Sequence, residues 1–265
     1  TEAPWAGTGG SLSTCSSGPS VALLPSVNGN PANNGTWSGP SNAPHGANYD
    51  PQTDIPGNYT YTVAGGPGCA NHSTVVSVSE TPMPAATIYY TGTPYCDLGS
   101  ANVTRTGTAG GSYASNAGLA ITAGTGFINL NTSAPGNYTV SYTIASAGSC
   151  PQFQTTAPVT INAHSDAGGD ASISLCSDLS SFDLATLLNG AQPGGTWKNG
   201  ANTTFSGVVD PGFYGSGTQV YRYLISGQTP CPADSALFTV TYVPTPNAGA
   251  DGALNICSAG STQSI

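Results

Sequence analysis

The sequence predicts an all-β chain of tandem sandwich modules, each of about 81 residues and closed by one disulfide. Three observations predict it. The seven cysteines recur on a fixed period, short apolar runs alternate with polar residues, and Gly- and Pro-rich turns separate those runs.

The period is read from the cysteines. First-position cysteines stand at Cys15, Cys96, Cys176 and Cys257, and second-position cysteines at Cys69, Cys150 and Cys231, so that each series advances by one module at every step. Taken in order they pair as Cys15–Cys69, Cys96–Cys150 and Cys176–Cys231, leaving Cys257 to a partner beyond Ile265. The three loops so closed are of nearly equal length. Other residues keep the beat. Asn34-Gly35-Thr36-Trp37, Gly110-Gly111-Ser112-Tyr113 and Gly194-Gly195-Thr196-Trp197 stand at comparable places. Tyr61, Tyr142 and Tyr223 precede the second cysteines by a constant interval, and Ala6-Gly7, Ala167-Gly168 and Ala248-Gly249 precede first cysteines by another. Pro56-Gly57-Asn58-Tyr59-Thr60 recurs as Pro135-Gly136-Asn137-Tyr138-Thr139. The middle unit has neither Ala-Gly nor Trp and reads as a second subtype.

Boundaries fall in short Pro-containing or polar stretches, Thr81-Pro82-Met83-Pro84, residues 161–166 and Val243-Pro244-Thr245-Pro246. Connectors this short with Pro are stiff. The units are therefore 1–83 (Trp subtype), 84–163 (second subtype), 164–245 (Trp subtype) and 246–265, the start of a fourth repeat, so that the chain reads as a window onto a longer array.

The strand signals are period-two runs. Thr218 to Ile225 sets Val220, Arg222 and Leu224 against Tyr221, Tyr223 and Ile225, and Phe238, Val240 and Tyr242 alternate with Leu237, Thr239 and Thr241. Residues 183–188 are expected to form one helical turn, whereas their counterpart at 22–27 contains Pro25. Several short strands around a cysteine pair in a module of this size describe an immunoglobulin-like sandwich. In the chain-entropy treatment a loop of roughly 55 residues, once closed, stabilises by roughly 4 kcal/mol, comparable to the net stability of so small a module. Trp37 and Trp197 are then core residues packed on the disulfide, with Tyr113 replacing them in the middle unit and Tyr61, Tyr142 and Tyr223 sharing the core. Disulfides place the chain in an oxidising, extracellular compartment.

Charge narrows the function. Asp, Glu, Lys and Arg make up 6% of the chain, and the net charge is −9 with only Arg105, Lys198 and Arg222 as cations. Nothing here neutralises a row of phosphates, which argues against nucleic acid, or docks on an anionic bilayer. No apolar run approaches a membrane span.

The series Ala-Gly, cysteine, Asn-Gly, Gly-x-Thr-Trp, Gly-x-Tyr-x-Tyr, cysteine resembles the immunoglobulin-like and PKD-like repeats of giant surface proteins of Bacteroidota. In the middle unit Ile88-Tyr89-Tyr90, Pro94-Tyr95-Cys96, Gly118-Leu119, Gly126-Phe127-Ile128-Asn129-Leu130 and Ser133 to Val140 are similar to the repeats of SprB-type gliding adhesins. The resemblance implies export by the type IX secretion system, attachment at the outer membrane through parts outside this sequence, and no catalytic residues.

The chemistry-bearing residues agree with a non-enzymatic chain. His45, His72 and His164 share no repeat position and no catalytic motif. Asp166 and Asp170 recur one module on as Asn247 and Asp251, a candidate calcium site at a module junction that competes with an Asx-type turn; Asp50 and Asp54 form a lesser loop candidate. Seven Asn-x-Ser/Thr sequons are expected by composition, and Asp234-Ser235-Ala236 resembles an O-glycosylation motif of Bacteroidota. The expected role is mechanical: a stalk or adhesin segment whose partners are neighbouring repeats. The alternatives are a filament assembled from copies of itself and an array binding surface glycans through exposed tryptophans.

Overall fold

The structure, a computed structural model, describes residues 3–247 and 249. Apart from 246, 247 and 249, the expected fourth repeat lies outside the described residues, and with it Asp251 and Cys257. The chain divides into two compact units, Thr1–Ala163 and His164–Ile265.

The first unit holds two sandwiches. In the first, β1 (Gly10–Cys15), β2 (Val21–Ala22), β3 (Thr36–Ser38), β4 (Pro44–His45), β5 (Asn48–Tyr49), β6 (Gly57–Val63) and β7 (His72–Thr81) form a sheet of order β1-β7-β6-β3-β4 facing the pair β2-β5. β1 runs parallel to β7, with Gly10 opposite Val76 and Cys15 opposite Thr81. β6 alternates as the sequence does, burying Tyr59, Tyr61 and Val63 against Val76 and Val78 of β7. The second sandwich contains β8 (Ala86–Tyr90), β9 (Tyr95–Cys96), β10 (Ser100–Ala101), β11 (Val103–Gly107), β12 (Ser112–Ser115), β13 (Ile128–Asn129), β14 (Gly136–Ile144) and β15 (Phe153–Asn162). Its main sheet is β12-β14-β15-β9, with β9 parallel to β15. Here the opening strand divides its length: β8 pairs antiparallel with β11 along its whole run before β9 crosses to the main sheet. That switch is the structural content of the second subtype.

The second unit contains β16 (Ala171–Cys176), β17 (Phe182–Asp183), β18 (Thr196–Lys198), β19 (Thr204–Phe205), β20 (Val208–Val209), the one-turn helix α1 (Pro211–Tyr214), β21 (Gly217–Ile225) and β22 (Asp234–Val243). Sheet order β16-β22-β21-β18-β19 repeats that of the first sandwich, with β16 parallel to β22. The expected helical turn is a 3-10 segment, Leu184–Leu187, begun by Asp183 accepting from the Ala185 N–H; its counterpart is Leu24–Ser26 with Pro25 inside. A first strand parallel to the last, beside a sheet continued by two central strands, gives each sandwich its immunoglobulin-like form.

This topology overturns the disulfide pairing expected from sequence. Each first-position cysteine ends a strand level with the end of the module's last strand: Cys15 opposite Thr81, Cys96 opposite Asn162, Cys176 opposite Val243. Each second-position cysteine lies in the turn just before that last strand begins. The last strands are 10 res long, or about 33 Å. Cysteines at the two poles of one sandwich therefore cannot approach to the ~7 Å Cα separation a disulfide demands. Cys15–Cys69, Cys96–Cys150 and Cys176–Cys231 do not form. Instead Cys15 bonds Cys150 at a sequence separation of 135, with Cα atoms 4.7 Å apart. Cys96 and Cys231 are also disulfide-bonded, whereas Cys69 and Cys176 are free and exposed.

Candidate functional site

The Cys15–Cys150 bridge is an end-to-end staple. Cys15 marks the exit pole of the first sandwich, where β1 and β7 finish side by side. Cys150 marks the entry pole of the second, in the turn between β14 and β15, where its N–H donates to the Ala147 carbonyl at 3.0 Å. Both half-cystines are buried, at 2% and 3% exposure. The Ser149 hydroxyl donates to the Ser13 carbonyl at 2.7 Å beside them. The connector is pinned at the same place, since the Met83 N–H donates to Ser16 Oγ at 3.0 Å and the Ser16 N–H to the Thr81 carbonyl at 3.0 Å.

Inside the sandwiches a second recurring device explains the Gly-x-Thr-Trp pattern. The N–H of Gly35, Gly111 and Gly195 donates to the hydroxyl of Tyr61, Tyr142 and Tyr223 at 2.8, 2.9 and 2.8 Å. The same hydroxyls donate to the carbonyls of Ala32, Thr108 and Gln192. Each tyrosine ring lies against Trp37, Tyr113 or Trp197, with centroids 4.9, 4.7 and 5.0 Å apart. Glycine is required because a Cβ at any of the three positions would run into the tyrosine ring. All six aromatics are buried. In the first sandwich, where Cys69 is exposed and Cys15 faces the next module, Trp37 packs on Tyr61 and not on a disulfide.

A further tyrosine sets the corner into the central strand: the hydroxyls of Tyr59 and Tyr138 donate to the carbonyls of Ile55 and Ala134, just upstream of each strand. In the second unit Tyr221 instead exchanges a 2.9 Å hydrogen bond with Tyr242, on which Tyr214 of α1 stacks. Burial is the first cause that pushes the phenols of Tyr49, Tyr90 and Tyr221 well above their ordinary value; Glu80, accepting from Tyr49 at 2.6 Å, adds to it there. No buried side-chain nitrogen or oxygen among the described residues lacks a partner.

The described candidate calcium residues each accept a backbone or side-chain hydrogen bond. Asp166 accepts from the Gly168 N–H at 2.8 Å, as an Asx turn does, and Asn247 repeats it with Gly249 at 2.8 Å. Asp170 accepts from the Leu237 N–H at 2.7 Å, fastening the start of β16 to β22. Asp54 accepts from the Asp50 N–H at 2.7 Å and pairs with His45 at 3.1 Å; the backbone donor is the main cause holding its carboxyl below the ordinary value, with His45 adding to it. Of the other histidines, His72 accepts from the Ala6 N–H and stacks on Trp5 at 4.9 Å, and His164 offers its carbonyl to Gln192. Ser235 is exposed on β22, beside Asp234, which accepts from the Ala167 N–H.

Sequence reasoning passed over Trp5, which is 44% exposed, stacked on His72 and donating from Nε1 to the Gly29 carbonyl. It has no counterpart in the other units, so the repeat gave no signal for it. Among the described residues no helix is long and apolar enough to cross a membrane.

No family model matches this chain, and no curated protein matches it. Among solved structures it is similar to the I-band fragment I67–I69 of titin, at 9% identity over 93% of this chain and 100% of that one, with a TM-score of 0.42. Sidekick-1 immunoglobulin domains 1–5 match at 12% identity and a TM-score of 0.31, over 89% of this chain and 58% of theirs. Human CDH23 EC21–23 matches at 11% identity and a TM-score of 0.31, over 91% of this chain and 100% of that one.

Proposed function

We propose that this chain is a non-enzymatic, load-bearing segment of a secreted surface protein, giving reach and attachment outside the cell. The single observation that carries the reading is the Cys15–Cys150 staple. It joins the exit pole of one sandwich to the entry pole of the next, so the covalent reinforcement lies at the junction. Disulfides of this kind persist in oxidising compartments, which supports an extracellular site. The motifs similar to SprB-type repeats support a place in a giant adhesin of Bacteroidota exported by type IX secretion, with gliding as its setting. Tandem sandwiches pinned by short Pro connectors support a stalk over a lateral filament. The glycan-binding alternative loses its platform, because Trp37 and Trp197 are 6% and 7% exposed.

Pulling the chain from its two ends tests the mechanical part. With the staple intact, the segment between Cys15 and Cys150, a separation of 135, stays closed, which hides about 450 Å of contour length. A reductant should release at least that length, since it also opens the disulfides of Cys96 and Cys231. Equal extension in both conditions would remove the observation on which the reading stands. Electron microscopy of the native protein tests the rest: threads one module wide support a stalk, and bundles of many copies overturn it in favour of a filament.

A further inference from the structure

Cys69 and Cys176 are the two exposed thiols of the described chain, and each is the repeat equivalent of a half-cystine. Cys69 holds in the first module the place that Cys150 holds in the second, and Cys176 holds in the third the place that Cys15 holds in the first. Their local structure matches as well. The Cys69 N–H donates to the Gly66 carbonyl at 2.9 Å, closing the same turn that Cys150 closes on Ala147 at 3.0 Å. Cys176 ends a strand opposite Val243, as Cys15 ends one opposite Thr81. The seryl pin is repeated too: the Ser177 N–H donates to the Val243 carbonyl at 2.9 Å, and the Thr245 N–H donates to Ser177 Oγ at 3.2 Å. Only burial differs. Cys15 and Cys150 are covered where their sandwiches meet, whereas Cys69 and Cys176 carry the same geometry uncovered.

We propose that Cys69 and Cys176 are covalent docking sites for a further repeat of this kind: Cys69 takes a first-position cysteine at the entry pole, and Cys176 takes a second-position cysteine at the exit pole. The rule is that the first cysteine of one repeat bonds the second cysteine of the next. In each step two thiols form one disulfide. Their two protons and two electrons pass to a small-molecule disulfide such as oxidised glutathione, which leaves as two thiols. The mating repeat is the adjoining one of the same polypeptide, continuing the junction that Cys15–Cys150 makes; a separate copy is the case the test sets against it.

A tandem fusion separates these cases. Residues 1–245 followed directly by residues 4–245 bring Pro4-Trp5-Ala6-Gly7 into the place of Pro246-Asn247-Ala248-Gly249 and keep the repeat period. After refolding in oxidised and reduced glutathione, peptide mass spectrometry should find Cys176 of the first copy bonded to Cys69 of the second, together with Cys15–Cys150 in each copy. Cys176→Ser in the first copy should leave Cys69 of the second copy titrating as a thiol. If Cys15–Cys150 forms while Cys176 and the second Cys69 stay reduced, or pair with other cysteines, the proposal is wrong. In the unfused chain carrying Cys257→Ser, head-to-tail oligomers through Cys69 and Cys176 would make a separate copy a sufficient partner. Monomers there, alongside a correctly bridged fusion, would assign the sites to repeats of one polypeptide.

Discussion

Replacing Gly35 with alanine isolates the device that holds Tyr61 in the first sandwich. A Cβ there would stand 2.5 Å from Tyr61 Cζ and 2.6 Å from the Thr62 carbonyl oxygen. The backbone cannot retreat, because Thr36, Trp37 and Ser38 are paired with Thr62, Tyr61 and Thr60. The ring must move, and the clash with the Thr62 carbonyl remains as strain on top of what the ring loses. Its hydroxyl then loses the bonds to Gly35 and Ala32, about 1 kcal/mol each. The Trp37 contact at 4.9 Å loses about 1 kcal/mol more. The expected loss is at least about 3 kcal/mol, or a fall of about 2 M or more in the urea midpoint at the slope usual for a small module. Tryptophan fluorescence from Trp5 and Trp37, both in the first sandwich, reports it in a Trp197→Phe background that silences the third. Gly46→Ala is the control: its Cβ meets nothing within 4 Å, so it should be neutral or stabilise by up to about 1 kcal/mol through the unfolded chain. A Gly35→Ala midpoint within about 0.5 kcal/mol of the parent would refute the argument.

Two other outcomes follow from the site geometry. The phenols of Tyr49, Tyr90 and Tyr221 are raised above their ordinary 10.0 in the folded chain. Their contribution is complete below that pH and is lost as pH rises above it; thermal melts across pH should hold level to that point and then fall, together with growth of the tyrosinate absorbance band. Calcium at about 10 mM, above the range in which extracellular modules bind it, should leave the melting temperature unchanged, because Asp166 and Asp170 each already hold a backbone N–H, of Gly168 and Leu237, in turns that need no cation; a rise of several degrees would establish the junction site.

Much of the fold was legible because a repeat averages out accident. The period-two runs around Tyr61, Tyr142 and Tyr223 became central strands, and the glycine two places before Trp37, Tyr113 or Trp197 marked where a tyrosine hydroxyl meets the backbone. The cysteine partners were not legible by spacing. A repeat period is unchanged by a shift of one unit, so pairing within a module and pairing at the observed separation of 135 are equally regular. What decides between them is strand direction. β1 runs parallel to β7, which puts Cys15 and Cys69 at opposite poles, and parallel pairing between the first and last strands leaves no local mark in the sequence. The acids at Asp166 and Asp170 posed a similar ambiguity: a carboxylate that caps a backbone N–H and one that waits for a cation have the same spelling.

The staple at the first junction also settles what kind of joint it is. A lone connector, even one that Pro stiffens against bending, still lets one body turn about its axis relative to the other. Residues 82–85 make the first attachment and Cys15–Cys150 makes a second. Two separate anchorages leave only a hinge, so a twist applied to one sandwich is handed to its neighbour instead of being dissipated in the connector.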